Sequence, residues 1–114
     1  MKILKLTDKV YNQYRENVRG NEHITLDQAV RKLSRNVQLV EEVAPERIKR
    51  HLLSVTYSYG NLDIRVLFGT IVSIINHKGE ASDWKFPKRR YIELTKEYQI
   101  DDDKFNTKRT YNKR

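Results

Sequence analysis

Apolar positions change their rhythm along this chain. From Val10 to Val40 they recur every three or four residues, the helical spacing. From Leu52 to Asn76, LLSVTYSYGNLDIRVLFGTIVSIIN, they alternate in short runs broken by Gly60-Asn61 and Phe68-Gly69. The order predicted is helices first, then a meander of three antiparallel strands.

Thr7 and Asp8 suit a helix N-cap, and Val10, Tyr11, Tyr14 and Val18 follow at helical spacing up to Gly20. A second helix starts at Thr25, with Gln28 completing a capping box. Leu26, Ala29, Val30, Leu33, Val37 and Val40 form its apolar stripe, which leaves Arg31, Lys32 and Arg35 toward water. It stops near Ala44, because Pro45 disfavours helical geometry in the residue before it. Ahead of both helices, Lys2–Leu6 alternates as a short strand or extended arm.

In the meander, Leu53, Val55, Tyr57 and Tyr59 fall on one face, as do Leu62, Ile64, Val66 and Phe68. That face is predicted to lie under the helix stripe. The other face carries Ser54, Thr56, Ser58, Asp63 and Arg65 and is a candidate contact surface. Beyond Gly79, Ala81–Trp84 reads as a loop. Lys85, Lys88, Arg89 and Arg90 then gather around Phe86 and Pro87. Tyr91, Leu94 and Tyr98 suggest a short helix or strand, and Asp101–Asp103 breaks it. The end of the chain, KFNTKRTYNKR, holds five basic residues and no acid, too little apolar surface to order itself. The expected fold is thus α+β: two N-terminal helices packed on a three- to four-stranded antiparallel sheet. Residues 1–100 form the domain and 101–114 a basic, flexible tail.

Charge changes this picture from fold to partner. Lys and Arg number 23 against 15 Asp and Glu, a net charge of +8, which favours a polyanion. The bland alternative is a solvated basic surface. With no cysteine, disulfides and thiolate zinc sites drop out. No apolar run approaches the ~20 residues of a membrane span. The N-terminus lacks the apolar region of a signal peptide, so a cytoplasmic protein without membrane contact is expected.

Two groups of residues carry candidate chemistry. Lys85, Lys88, Arg89, Arg90 and Tyr91, with Lys108, Arg109, Lys113 and Arg114 in the tail, combine cations with aromatics and are candidates to hold nucleic acid. Arg65, in mid-strand on the polar face, is placed to clamp a phosphate or to pair with Asp63. His51, at a strand entry, is either a structural residue or a general base. His23, His51 and His77 have no metal-ligand spacing, and no Gly-rich phosphate loop exists, so no cofactor is expected.

The stretch LDIRVLFGTIVSII resembles the central strand pair of RelE/ParE-type toxins, and YRENVRGNEHITLDQAVRKL resembles the helix pair of related small domains. The resemblance covers residues 7–76. It implies a toxin-like protein directed at RNA, in some members a metal-independent endoribonuclease, with a cognate antitoxin. Only Arg65 matches the family's "IRV" arginine; the second arginine and the first-helix histidine have no counterpart. The sequence therefore supports two functions. One is an RNA-directed toxin with Arg65 and His51 catalytic. The other is a non-enzymatic phage- or plasmid-encoded protein that binds nucleic acid or an acidic host protein.

Overall fold

The computed structural model describes residues 2–78 and 84–101. Residues 79–83, and with them all of the expected 81–84 loop but Trp84, lie outside them. So does the expected tail from 102 onward, with Lys108, Arg109, Lys113 and Arg114.

Eight elements build an α+β fold: β1 (Lys5–Leu6), α1 (Asp8–Asn17), α2 (Leu26–Val43), β2 (Ile48–Arg50), β3 (Val55–Tyr59), β4 (Leu62–Leu67), β5 (Thr70–Asn76) and α3 (Lys88–Glu97). One turn of 3-10 helix, Pro45–Arg47, leads into β2. The caps form as their residues dictate. The Thr7 hydroxyl accepts from Val10 N and that of Thr25 from Gln28 N, both at 3.2 Å. Ala44 caps the end of α2 just ahead of Pro45.

The sheet corrects the expectation of three or four antiparallel strands. It has five, in the order β1-β5-β4-β3-β2, and it is mixed. The four strands of the meander are antiparallel, but β1 joins β5 in parallel, with Lys5 opposite Thr70 and Leu6 opposite Ile71. The chain leaves β1 through two helices before it reaches the meander, and β1 occupies the free edge of β5. Leu4 N donates to the buried Ser34 Oγ at 2.8 Å, which ties this edge to α2.

The first meander strand is also shorter than its alternation suggests. The chain turns at His51–Ser54, closed by a bond from His51 N to Ser54 O of 2.8 Å. Leu52 and Leu53 consequently stand at a hairpin tip, exposed, and Leu53 is not in the core. Phe68, also expected in the core, is exposed in the β4–β5 turn.

Both N-terminal helices cover one face of the sheet. Val10, Tyr14, Leu33, Val37 and Val40 pack on Tyr57, Leu62, Ile64, Ile71 and Ile74 in one core. Each fully buried isoleucine there contributes roughly 1.5–3 kcal/mol.

α3 is the element the sequence left ambiguous, and it corrects the two-helix expectation. It adds a second layer on the far flank of α2, where Tyr91, Leu94, Tyr98 and Ile100 surround Leu39. It ends with Ile100 N bonded to Thr95 O and Gln99 N to Lys96 O, with Gln99 at φ +55. This layer explains a second correction. Lys32 and Arg35 do not face water; they are 9% and 3% exposed. The Arg35 guanidinium donates to Asn36 Oδ1 at 3.1 Å and to Thr95 Oγ1 at 3.0 Å, and lies 4.2 Å from the Tyr91 ring centroid. Lys32 Nζ donates to Asn21 Oδ1 at 3.1 Å. A buried cation is tolerated only with such partners.

Replacing Arg35 by alanine should destabilise the fold by about 2–4 kcal/mol, because its charged hydrogen bonds and its attraction to the Tyr91 ring vanish together. Urea unfolding measures it, and hydrogen exchange should show α3 losing protection first. A loss below about 0.5 kcal/mol, the range of ordinary surface changes, would show that the seam does not depend on this side chain.

Candidate functional site

The sheet face opposite the helices presents several exposed cations. Register places Lys49 opposite Thr56, Thr56 opposite Arg65, and Arg65 opposite Ser73. Directly paired residues project to the same side, so these four make one row across β2, β3, β4 and β5. Lys5, opposite Thr70, adds a cation on β1. Lys5, Lys49 and Arg65 are exposed, and among the described residues none of them forms an ion pair. Arg65 is braced by one bond, Nε to Ser54 Oγ at 2.9 Å, which leaves the rest of the guanidinium to solvent. The β5 strand is irregular here: Arg65 faces Ser73 while Val66 faces Ile71, so Val72 is an extra residue.

His51 joins this row. Its Nε2 lies 3.3 Å from Thr56 Oγ1, and Thr56 is the direct neighbour of Arg65. The fold thus brings the two candidate catalytic residues to one patch. Asp63 is the acid expected as a partner of Arg65. It is held elsewhere, by Ser58 Oγ at 2.8 Å and His77 Nε2 at 3.1 Å.

The basic run from Lys85 to Arg90 is distributed differently. Arg90 is enclosed by carboxylates. Its NH2 reaches Glu42 Oε2 at 3.0 Å, and its NH1 reaches Glu93 at 3.1 Å and Glu97 at 3.4 Å. The Glu42 and Glu93 bonds hold Arg90 protonated beyond its ordinary range, and in return the Arg90 bond holds the Glu42 carboxyl below the usual carboxylate range. Tyr91 is buried, with its ring 4.9 Å from that of Phe86, and so packs α3 rather than facing a ligand. Arg89 lies 3.6 Å from Glu93 and is otherwise exposed, as are Lys85 and Lys88.

A cavity of about 560 Å³ opens between α2 and the β3–β4 turn, lined among others by Tyr14, Lys32, Arg35, Tyr59 and Trp84. Trp84 packs on Tyr59 at 5.6 Å, with Arg47 5.1 Å from its ring centroid. Arg19 in its lining is exposed, whereas Lys32 and Arg35 are committed to the fold as described. Arg47 likewise donates to the Ser58 and Gly60 carbonyls at 2.9 and 2.8 Å. Among the described residues, no three His, Asp or Glu side chains gather as metal ligands. No described helix is long and apolar enough to cross a membrane.

Sequence reasoning missed Lys5 and Lys49 as exposed cations of the open sheet face. Lys49 becomes legible only with Ile48–Arg50 as a strand in register with Thr56.

No solved structure matches this chain. Over its whole length it is 50% identical to the SPbeta prophage-derived uncharacterized protein YorE of Bacillus subtilis (strain 168), and covers 95% of that relative. The YorE family model matches residues 4–97, which takes in every described strand and helix. The chain belongs to the YorE family.

Proposed function

We propose that this protein binds nucleic acid on the open face of its sheet. The observation that carries this reading is the set of exposed cations on that face, Lys49 and Arg65 in one row and Lys5 on β1, with no carboxylate partner among the described residues. Phosphates spaced along a strand need several cations on one surface, and side chains already tied to carboxylates exchange one partner for another at little gain. Arg90 is of that second kind, whereas Lys49 and Arg65 are not. Both stand on hydrogen-bonded strands of the sheet, so the charges are positioned before a ligand arrives. The net charge of +8 adds long-range attraction. A prophage-derived relative fits a protein made among viral nucleic acids.

A second reading, metal-independent RNA cleavage of the RelE/ParE kind, draws support from the His51–Thr56–Arg65 patch. His51 would take the proton of a 2′-hydroxyl, whose oxygen then attacks the adjacent phosphorus. The bond from phosphorus to the 5′-oxygen breaks, and that oxygen takes a proton from solvent. The ends are a 2′,3′-cyclic phosphate and a 5′-hydroxyl. Arg65 would stabilise the charge that builds on the phosphate oxygens.

The binding reading fixes a salt dependence. For single strands each phosphate contact adds about 0.7 to the slope of log K against log salt. The double variant Lys49→Ala, Arg65→Ala should therefore flatten the slope by about 1.4, while Lys96→Ala on α3 leaves it unchanged. A slope indifferent to the double change refutes the proposed face. For cleavage, RNA incubated with the protein and EDTA should yield cyclic-phosphate ends that Arg65→Ala removes. RNA that stays intact while bound eliminates the second reading and leaves the first.

A further inference from the structure

Three exposed apolar side chains stand at one end of the sheet, next to the cation row. Val55 pairs with Val66, so the turn before β3 and the turn after β4 emerge at the same end. The first carries Leu52 and Leu53, 95% and 62% exposed; the second carries Phe68, 83% exposed. Lys5 N donates to Gly69 O at 3.0 Å, which brings the end of the cation row to the Phe68 turn.

Phe68 is held there against its own preference. The turn Phe68-Gly69 has φ of +47 and +79, the left-handed pair of a type I′ hairpin. Asn-Gly is the favoured pair, because a bulky side chain in left-handed geometry is strained. The neighbouring hairpin obeys the rule, with Gly60 at its positive φ of +59. Phe68 thus combines an unfavourable backbone with an aromatic ring given to water, and no burial offsets either. Strain of this kind persists where a side chain has work to do at the surface.

We infer that Phe68, flanked by Leu52 and Leu53, receives unpaired bases, so that the ligand class is single-stranded nucleic acid. The inference rests on the proposed phosphate-binding face. The two surfaces are contiguous: the apolar turns lie at the strand ends beside the row that holds Lys49 and Arg65, and Lys5 stands next to the Phe68 turn, so a strand held by those cations passes along the turns. A base has a π-face to lay on an exposed ring whatever its identity, whereas a paired base in a duplex hides that face. The apolar residues are convex tips rather than a groove, which suits flat bases stacking on them.

The test compares the full chain with Phe68→Asn and with Leu52→Ser, Leu53→Ser. Asparagine suits the turn, so Phe68→Asn should unfold at the same temperature as the parent or higher, and a loss of binding is then not a loss of fold. The probes are a single-stranded oligonucleotide carrying 2-aminopurine, its duplex, and vesicles of phosphatidylcholine with phosphatidylserine. The parent should bind the single strand about 10-fold tighter than the duplex at equal salt, with a change in 2-aminopurine fluorescence. Phe68→Asn should erase both the preference and the fluorescence change and leave duplex binding and salt slope intact. The leucine pair should weaken single-strand binding in the same direction.

Equal affinity for single strand and duplex, or an unaltered preference in Phe68→Asn, overturns the inference but leaves the phosphate face standing. Vesicle binding by the parent that Phe68→Asn removes, without a single-strand preference, overturns it in favour of a lipid surface. Absence of salt-dependent binding to either nucleic acid overturns this inference and the proposed function together.

Discussion

The Arg35 guanidinium, buried between α2 and α3, is the constraint around which this molecule is organised. A cation taken out of water must find hydrogen-bond acceptors and polarisable surface inside the protein. It finds them on both helices: Asn36 beside it, and Thr95 and the Tyr91 ring across the seam. Thr95 in turn donates from Oγ1 to the Tyr91 carbonyl at 2.7 Å, so the acceptor is itself oriented. Around this point the seam closes with Arg31 NH1 on the Tyr98 carbonyl at 2.8 Å and with Tyr98 bonded to Gln38. The Tyr98 hydroxyl, pushed up by burial, stays protonated and able to donate. α2 is therefore enclosed on two sides, and the sheet needs no helix on its other face.

That arrangement separates two sets of basic residues. Lys32, Arg35, Arg47 and Arg90 hold elements together through carbonyls, amides and carboxylates. Lys5, Lys49 and Arg65 stand on strands with their charge toward solvent. A net charge alone does not distinguish these; a basic residue contributes to a polyanion surface only where its fold leaves the charge unspent.

Much of the framework was legible. Thr7 and Thr25 announced both caps, Pro45 the end of α2, and Gly60-Asn61 a hairpin. The misses at Lys32, Arg35 and β1 share a cause, in that each depends on a partner distant in sequence. Lys32 and Arg35 read as solvent-facing because the apolar stripe of α2 was matched to the sheet alone. The signal for a second cover was present in Tyr91, Leu94 and Tyr98, whose spacing also fitted a strand. β1 is two residues long and exists only because β5 offers an edge. Leu53 and Phe68 kept perfect alternation with their neighbours, and alternation does not say where a strand stops. For Phe68 the adjoining glycine had already marked a turn, and Phe-Gly between two alternating runs places the ring at that turn rather than in the core. His51 and Arg65 were chosen from the sequence for their chemistry, and the β3–β4 register brings them to one patch.

The division between structural and free cations is tested most directly by amide and side-chain NMR shifts during titration with a short oligonucleotide. The account predicts shifts that grow along Lys5, Lys49, Thr56, Arg65 and the Phe68 turn, with the Arg35 guanidinium and α3 unmoved. Shifts concentrated on Arg35, Arg90 and α3, with the open sheet face silent, would contradict it.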